Sequence, residues 1–441
     1  MSPQYVKKGM IKRKIIVIGG GPAGLMAAGQ AALTGAEVLL LEKMDRPARK
    51  LSITGKGRCN LTNEAPLQDF LPHFGHRARF LKPAFSSFFT SELLGFLHSL
   101  DIPTIIERGG RIFPESGRAQ GVVDALLGWV KKSGVVAKSS SPVRRLLMEQ
   151  GCIKGVEVSL SSSAQNDDEN DRIPYFADAV ILAAGGASYP ATGSTGDGYS
   201  LAEPLGHAII PIRPALVPLE TKGNIAPRLQ GLSLKNVRCT VWVEGRKKAD
   251  DFGEMLFTHF GLSGPVILTL SLFAVDALDL GKKTVFSIDL KPALDHQKLD
   301  ARLIRDFAFF KKSKFHTILK EYLPSSLIPV CLDMTAISPA KHGGEITSEE
   351  RKRFRLWLKD FAFEIIAHRG FEEAIITAGG VDTLMVNPHT MESRIVKGLF
   401  FAGEILDIHA DTGGYNLQAA FSTGWLAGRS ASAYRAHPSN P

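Results

Sequence analysis

Hydrophobic positions near the start of the chain fall into short runs broken by glycine. Residues 14–18 (KIIVI) are a β-branched run that stops at GGGPAG; the alanine-rich LMAAGQAALTG follows, then a second apolar run, AEVLLLE. Strand, turn, helix and strand within about 30 residues form the pattern of a parallel βαβ unit. Residues 120–132 (QGVVDALLGWVKK) read as another helix, and SPVRRLLM, CIKGVEVSL and IPYFADA as three successive short strands. The polar SSSAQNDDEND at 161–171 is most simply an exposed hairpin tip. After it, VILAAGG (Val180 to Gly186) returns as a buried strand ending in glycines.

Past residue 210 the texture changes. Pro211, Pro214 and Pro218 bracket a boundary, and VRCTVWVEG and TVFSIDL suggest antiparallel strands. From Asp300 to about His368 the pattern reads as mainly helical and basic. EEAIITAGG, IVKGLFFAGEILD and NLQAAFSTGWLAGRSASAY then read as strand, strand and long helix, so the C-terminal part resumes the α/β style. The expected fold is α/β with a discontinuous Rossmann-like nucleotide-binding domain made from both ends, over 1–212 and 371–441. Between them the reading places a β-rich insert at 213–300 and a helical insert at 301–370.

Composition narrows the class. The 441 residues are 44% hydrophobic and 22% charged, which excludes disorder and fibrous architectures. The longest apolar stretch, Pro265 to Ala274, falls well short of the roughly 20 residues that span a bilayer. The first residues superficially resemble a signal peptide, but their apolar core is short and no small-residue cleavage site follows, so a cytoplasmic protein is expected. Cys59, Cys152, Cys239 and Cys331 have no metal-ligand spacing and read as reduced thiols. A net charge of +9 suits a polyanionic partner or an ordinary basic enzyme. Much of it lies in two patches, Lys311, Lys312, Lys314 and Lys320, then Arg351, Lys352, Arg353, Arg355 and Lys359. Taken alone, such patches are solvated helix faces.

Gly19, Gly21 and Gly24 give G-x-G-x-x-G at the end of the first strand and the start of the first helix. Such glycines permit the tight turn, the approach of a pyrophosphate to backbone and the close packing of helix on sheet, while the helix N-terminus stabilises the anion. Ala23 lies within this turn. Glu42, followed by Lys43, ends the next strand 18 residues after Gly24, where a carboxylate accepts hydrogen bonds from ribose hydroxyls. A carboxylate repels a 2′-phosphate, so FAD or NAD is expected rather than NADP. Three later features favour FAD. The three-stranded meander, entered at Val143 and followed by Ala184, Gly185 and Gly186, matches the arrangement covering the adenosine half in two-dinucleotide-binding flavoproteins. Gly403 and Glu404 end a buried strand whose acid can hold a ribityl hydroxyl. A helix starting at about Asn416, with Leu417 and Gln418 in its first turn, can stabilise negative charge on reduced flavin.

GKGRCNLTN (Gly55 to Asn63), FTHFGLSGP (Phe257 to Pro265), TAGGV, TMESR, and GLFFAGEILD with GGYNLQAAFSTGW together resemble the BaiN/RdsA-type family of FAD-dependent oxidoreductases over essentially the whole chain. The resemblance implies a discontinuous FAD domain, a β-barrel-like domain and a helical subdomain. It also implies NAD(P)H-dependent reduction of carbon–carbon double bonds, on substrates from unsaturated bile-acid intermediates to a uridine of large-subunit ribosomal RNA.

The stretch Lys50 to Asn63 reads as a glycine-rich basic loop running beneath the pyrophosphate, with Lys50, Lys56 and Arg58 supplying charge and Gly57, Cys59 and Asn60 near the flavin. Cys59 is either a packing residue or a proton donor or redox-active thiol whose pKa Arg58 and Lys56 lower. His259, with Ser263 nearby on a turn, is the other candidate acid. No C-x-x-C, second G-x-G-x-x-G, P-loop or H-E-x-x-H occurs, so NAD(P)H is expected to dock transiently. The resulting expectation is non-covalent FAD, hydride from NAD(P)H, and uracil in ribosomal RNA as acceptor through the basic helical insert. The alternatives are a small-molecule enone reductase, an oxidase, or an RNA-binding protein whose FAD is structural or sensing.

Overall fold

The computed structural model describes residues 12–159 and 171–435. The polar tip read at 161–171 therefore lies, Asp171 apart, outside the described residues. The chain divides into two compact units, one running to Arg213 and resuming at Ile376, the other Pro214–Ile375.

The first unit is built on a five-stranded parallel sheet in the order Leu399–Phe401, Ala179–Leu182, Lys14–Ile18, Glu37–Leu41, Val136–Lys138. Its inner strands are continuous apolar runs because helices cover both faces of such a sheet. Helix Pro22–Leu33 starts with proline at its first position, where the missing N–H costs nothing. The 19-residue helix Tyr415–Ala433 packs on it. Small residues set that approach: a Cβ on Gly424 would lie 2.3 Å from the Ala23 carbonyl oxygen, and one on Gly428 2.3 Å from that of Ala27. The antiparallel meander is Val143–Glu149, Cys152–Ser159 and Arg172–Phe176. The strand expected to reach Gly186 stops at Leu182, because residues 183–186 leave the sheet as a loop.

The second unit is a closed six-stranded barrel, ordered Leu219–Thr221, Gly261–Ser263, Arg246–Phe257, Ser233–Val243, Thr284–Asp289, Phe361–His368. Helices Pro265–Leu278, His296–Phe309, Leu327–Thr335 and Ser348–Lys359 accompany it. Two expectations are corrected. Residues 361–368 are the strand that closes the barrel, not part of the helical stretch. FAFEIIAH alternates, with Phe361, Phe363 and Ile365 buried, but that period of two adjoins a basic helix that obscures it. Ser263 ends a short barrel strand instead of sitting on a turn. Among the described residues no helix is long and apolar enough to cross a membrane.

Candidate functional site

Because the sheet of the first unit is parallel, the carboxyl ends of its strands share one edge. The segments leaving that edge carry Gly19 to Gly21, Glu42, Ala184 to Gly186, and Gly403 with Glu404. Open α/β sheets bind ligands at this edge. Gly19 has φ +99°, and a Cβ there would stand 2.5 Å from the Ala183 carbonyl oxygen; one on Gly24 would stand 1.8 Å from that of Gly19. Both are packing constraints. Gly21 differs: nothing lies within 4 Å of its would-be Cβ, so its backbone faces open space. A Cβ on Gly403 would meet that of Ala23 at 2.7 Å, which fixes the last strand's exit against the first helix.

Glu42 accepts from the Gly20 amide through one oxygen and from the Met44 amide through the other, both at 2.8 Å. Burial raises its pKa, and these amides oppose the rise. The Ser141 amide donates to the Glu42 carbonyl at 2.9 Å, bringing the entry of the meander, with Val143 buried, alongside. These groups fit an adenosine diphosphate: open backbone at Gly21, an aligned carboxylate, and a helix N-terminus without an acidic first turn.

The basic residues behave differently from expectation. Lys43 pairs with Asp197 at 2.6 Å, and Lys50 spans Ser188 at 2.7 Å and Glu404 at 2.8 Å. Glu404 also accepts from the Thr377 amide at 2.8 Å and the Ser188 hydroxyl at 2.9 Å. Arg58 is exposed, pairs with Glu107 and lies 4.4 Å from the Phe113 ring centroid. The stretch from Lys50 is not wholly a loop: Arg49–Gly57 is helical apart from a break at Thr54, Gly55 and Lys56, and Gly57 precedes Arg58 in the turn that follows.

Cys59 has no exposed surface, and burial pushes its thiol up to about 12, against a smaller opposing effect of Thr54. The low-pKa thiolate is corrected accordingly, since Arg58 spends its charge on Glu107. The Asn60 amide, oriented to satisfy both ends, accepts from the Gly414 amide at 2.9 Å and donates to the Ile112 and Thr62 carbonyls at 3.2 Å. It ties this stretch to the start of helix Tyr415–Ala433. Asn416 turns back on the preceding loop, accepting from the Ala410 amide at 2.9 Å and donating to its carbonyl at 3.0 Å. Gln418 is buried and donates to Ser422 at 3.0 Å, while Leu417 is half-buried. Their side chains hold the first turn, and what faces outward is the set of amides a helix start leaves without internal acceptors.

His259 belongs to the second unit, exposed in the turn between strands Arg246–Phe257 and Gly261–Ser263, with its ring edge-on to Phe260 at 4.9 Å. It is not among the groups gathered at the sheet edge of the first unit.

Sequence reasoning missed a polar cluster on that edge. Arg77 and Asp407 pair at 2.8 Å with side chains only 10% and 8% exposed. His73 pairs with Asp411 at 2.8 Å and stacks on Tyr415 at 3.9 Å. Burial, then Arg77 and Arg213, lower the His409 pKa to about 4 despite Asp407. Burial, then Glu404 and Asp407, raise that of Tyr199. The Tyr199 hydroxyl, Asp407 Oδ1 and His409 Nδ1 are buried and have no hydrogen-bond partner among the described residues. The available signal was HFGHR and LDIHAD, titratable residues set in apolar or glycine-rich surroundings, but more than 300 residues of sequence separate them.

A dinucleotide cradle on a parallel sheet, completed by a C-terminal strand and helix, defines a Rossmann-type FAD-dependent oxidoreductase. The chain belongs to the HI0933-like protein Rossmann domain family, whose profile matches residues 13–430. It is 32% identical to a 3-dehydro-bile acid delta(4,6)-reductase of Clostridium scindens, over 95% of this chain and 98% of that one. It is 27% identical to a ribosomal RNA dihydrouridine synthase of Escherichia coli, over 93% and 96%. The fold matches a 3-ketosteroid delta1-dehydrogenase from Sterolibacterium denitrificans with TM-score 0.53, 13% identity, and coverage of 96% and 100%.

Proposed function

We propose that this chain binds FAD at the sheet edge of its first unit and passes hydride from NAD(P)H to an alkene conjugated with a carbonyl, with uracil of large-subunit ribosomal RNA as acceptor. One observation carries the reading: relatives matched end to end are named for a 3-oxo Δ4,6 steroid reduction and for dihydrouridine synthesis. Both names describe that same bond arrangement.

Bound FAD would supply hydride transfer; the chain's own residues bind, orient and protonate. The amide of Gly21 and the helix start at Pro22 receive the pyrophosphate, Glu42, aligned by the Gly20 amide, the ribose hydroxyls, and the amides of Asn416 and Leu417 the electron-rich edge of the ring. Glu404, held by Lys50, Ser188 and Thr377, is fixed in one orientation beside them. Tyr199 holds its hydroxyl proton across the neutral range, because burial and the fields of Glu404 and Asp407 disfavour the phenolate. We assign it the proton for the carbon next to the one reduced, with His259 the candidate from the second unit.

RNA as acceptor is supported by exposed Lys311, Lys312 and Lys314, which make no ion pair among the described residues. The second patch contributes less: Arg351 and Arg355 both pair with Asp300, and Lys359 with Asp289. A small enone as acceptor is the second reading, favoured by the 32% identity to the bile-acid reductase. Anaerobic mixing with NADH and NADPH tests the core claim: the visible flavin band bleaches if the flavin turns over and persists if it is structural. Rapid re-oxidation with stoichiometric peroxide would mark an oxidase. Mapping dihydrouridine at base resolution in ribosomal RNA, with and without the gene, tests the acceptor.

A further inference from the structure

The barrel of the second unit carries a groove of about 600 Å³ on its outer face. Side chains alternate along a strand, so burying Cys239, Val241, Val243, Phe286 and Ile288 inside the barrel turns Arg238, Thr240, Trp242, Val285 and Ser287 outward. Trp242 sits opposite Val285 on one neighbouring strand and Lys247 on the other; Thr240 sits opposite Ser287, and Ser287 opposite Ala362. The surface is therefore one half-exposed indole beside a strip of small and hydroxyl-bearing residues.

Charge is distributed unevenly around it. At one end Arg238 pairs with Asp250, and Lys359 pairs with Asp289 and donates to the Leu294 carbonyl at 2.7 Å. At the other, the tight turn at Glu244 and Gly245 meets the start of strand Thr284–Asp289, where the Glu244 amide donates to the Lys283 carbonyl at 3.0 Å. Exposed Arg246, Lys248, Lys282 and Lys283 lie at the strand ends beside that turn, Lys283 among the residues lining the groove, and their side chains make no ion pair among the described residues. Unpaired cations leading into an aromatic platform suit a polyanion that also offers flat rings. Single-stranded nucleic acid is that polymer: successive bases stack on aromatic side chains while a cationic groove follows the phosphates. The Thr240 hydroxyl can take base edges or 2′-hydroxyls, whereas that of Ser287 donates to Asp360, a carboxylate that also lines the groove.

We propose that this groove binds single-stranded RNA, one base stacking on Trp242 and the flanking phosphates contacting Lys282, Lys283, Arg246 and Lys248. This rests on the RNA reading above and names the surface that would serve it.

The test is fluorescence anisotropy of a labelled 12-residue oligouridine on the full-length flavoprotein across a salt series. Trp242→Ala should weaken binding about 5- to 150-fold with an unchanged salt slope, and Trp242→Phe should restore most of it. The double variant K282E/K283E should make the slope of log affinity against log salt shallower by about 1.4, two phosphate contacts at about 0.7 each. Equal flavin content and melting temperature establish that each variant is folded. Wild-type affinity in both Trp242→Ala and K282E/K283E overturns the proposal, as does equal affinity for a duplex or for polyglutamate of the same length. Binding that responds as described in a protein forming no dihydrouridine would sink the proposed acceptor and leave the groove standing. Wild-type dihydrouridine formation by Trp242→Ala would sink the groove alone.

Discussion

Gly21 and Gly24 stand three residues apart in one motif yet should fail in different ways. Gly24→Ala places a methyl 1.8 Å from the Gly19 carbonyl oxygen, where ordinary contact begins at 3.4 Å. The first helix must then retreat from the sheet by about 1.5 Å in a close-packed interior. Overpacking of this kind costs about 1–3 kcal/mol, offset in part by the better helix propensity of alanine, about 1 kcal/mol. A contact as short as 1.8 Å belongs at the upper end of that range, so the net loss is about 2 kcal/mol and the melting temperature of the FAD-free protein falls by about 4–8 °C. Gly21→Ala meets no protein atom within 4 Å, and its φ of −76° is open to any residue. Its FAD-free melting temperature should stay within about 2 °C of wild type. Its methyl, however, occupies the space a pyrophosphate needs to reach the amides. Losing one hydrogen bond to a charged group, about 1.5–3 kcal/mol, weakens FAD about 10- to 150-fold. Calorimetric titration of FAD and thermal melts of both deflavinated variants separate the two effects. A Gly21→Ala protein that binds FAD as tightly as wild type would refute the assignment of this turn to the pyrophosphate.

Three further outcomes follow from burial and pairing. Cys59, Cys239 and Cys331 are buried with thiols pushed up to about 12, whereas Cys152 is half-exposed; an aromatic disulfide reagent should label Cys152 alone in the native protein, and rapid labelling of Cys59 would restore the reactive-thiol reading. His409 is held neutral down to about pH 4 while its unfolded counterpart protonates near 6.5, so the unfolded state binds more protons between these values and stability falls as pH drops through that window. The contribution is about 3 kcal/mol in full, and urea midpoints from pH 7 to 4.5 should show His409→Gln with a shallower decline than wild type; parallel declines would contradict it. Lys50→Met strands Glu404, but both ends of that pair keep about a fifth of their surface exposed, so the loss should be about 2 kcal/mol by chemical unfolding, below the 3–5 kcal/mol of fully buried pairs.

The nucleotide-binding half was legible because its signals are local. KIIVI, the glycine turn and AEVLLLE declare strand, turn and strand within one window, and Glu42 lies at a distance that a single βαβ unit fixes. GLFFAGE could be joined to them because a buried strand ending in glycine has one place in such a sheet. What escaped was settled by partners far along the chain. FAFEIIAH is a strand because Thr284–Asp289 and Leu219–Thr221 accept it on either side, while the basic helix Ser348–Lys359 runs up to it with only Asp360 between. Arg77 and Asp407 signal nothing singly; their meaning comes from a contact that forms only when the C-terminal strand has docked. Cys59 was misjudged for the same reason. Adjacent arginine suggests a lowered pKa in sequence, but Glu107, on a hairpin 48 residues away, takes that arginine and leaves the thiol to burial.

The pairing of cations around the sheet edge bears on how an anionic cofactor can be held. Lys43 is committed to Asp197, Lys50 to Glu404 and Arg58 to Glu107, so of the basic side chains the sequence offered there only exposed Lys56 makes no ion pair among the described residues. A lysine shared with a carboxylate offers a phosphate little net charge, and drawing it away would strand its partner. The groups left to meet the phosphates are backbone amides and the start of helix Pro22–Leu33, whose partial charges are fixed in direction and need no reorganisation. Gly19 and Gly24, whose packing leaves no room for a side chain, fix the turn, and Gly21, whose would-be Cβ meets open space, presents its backbone there. Sheet geometry and the proposed binding chemistry are thus one constraint: the turn that lets the first helix lie against the sheet is the same turn we propose for the pyrophosphate.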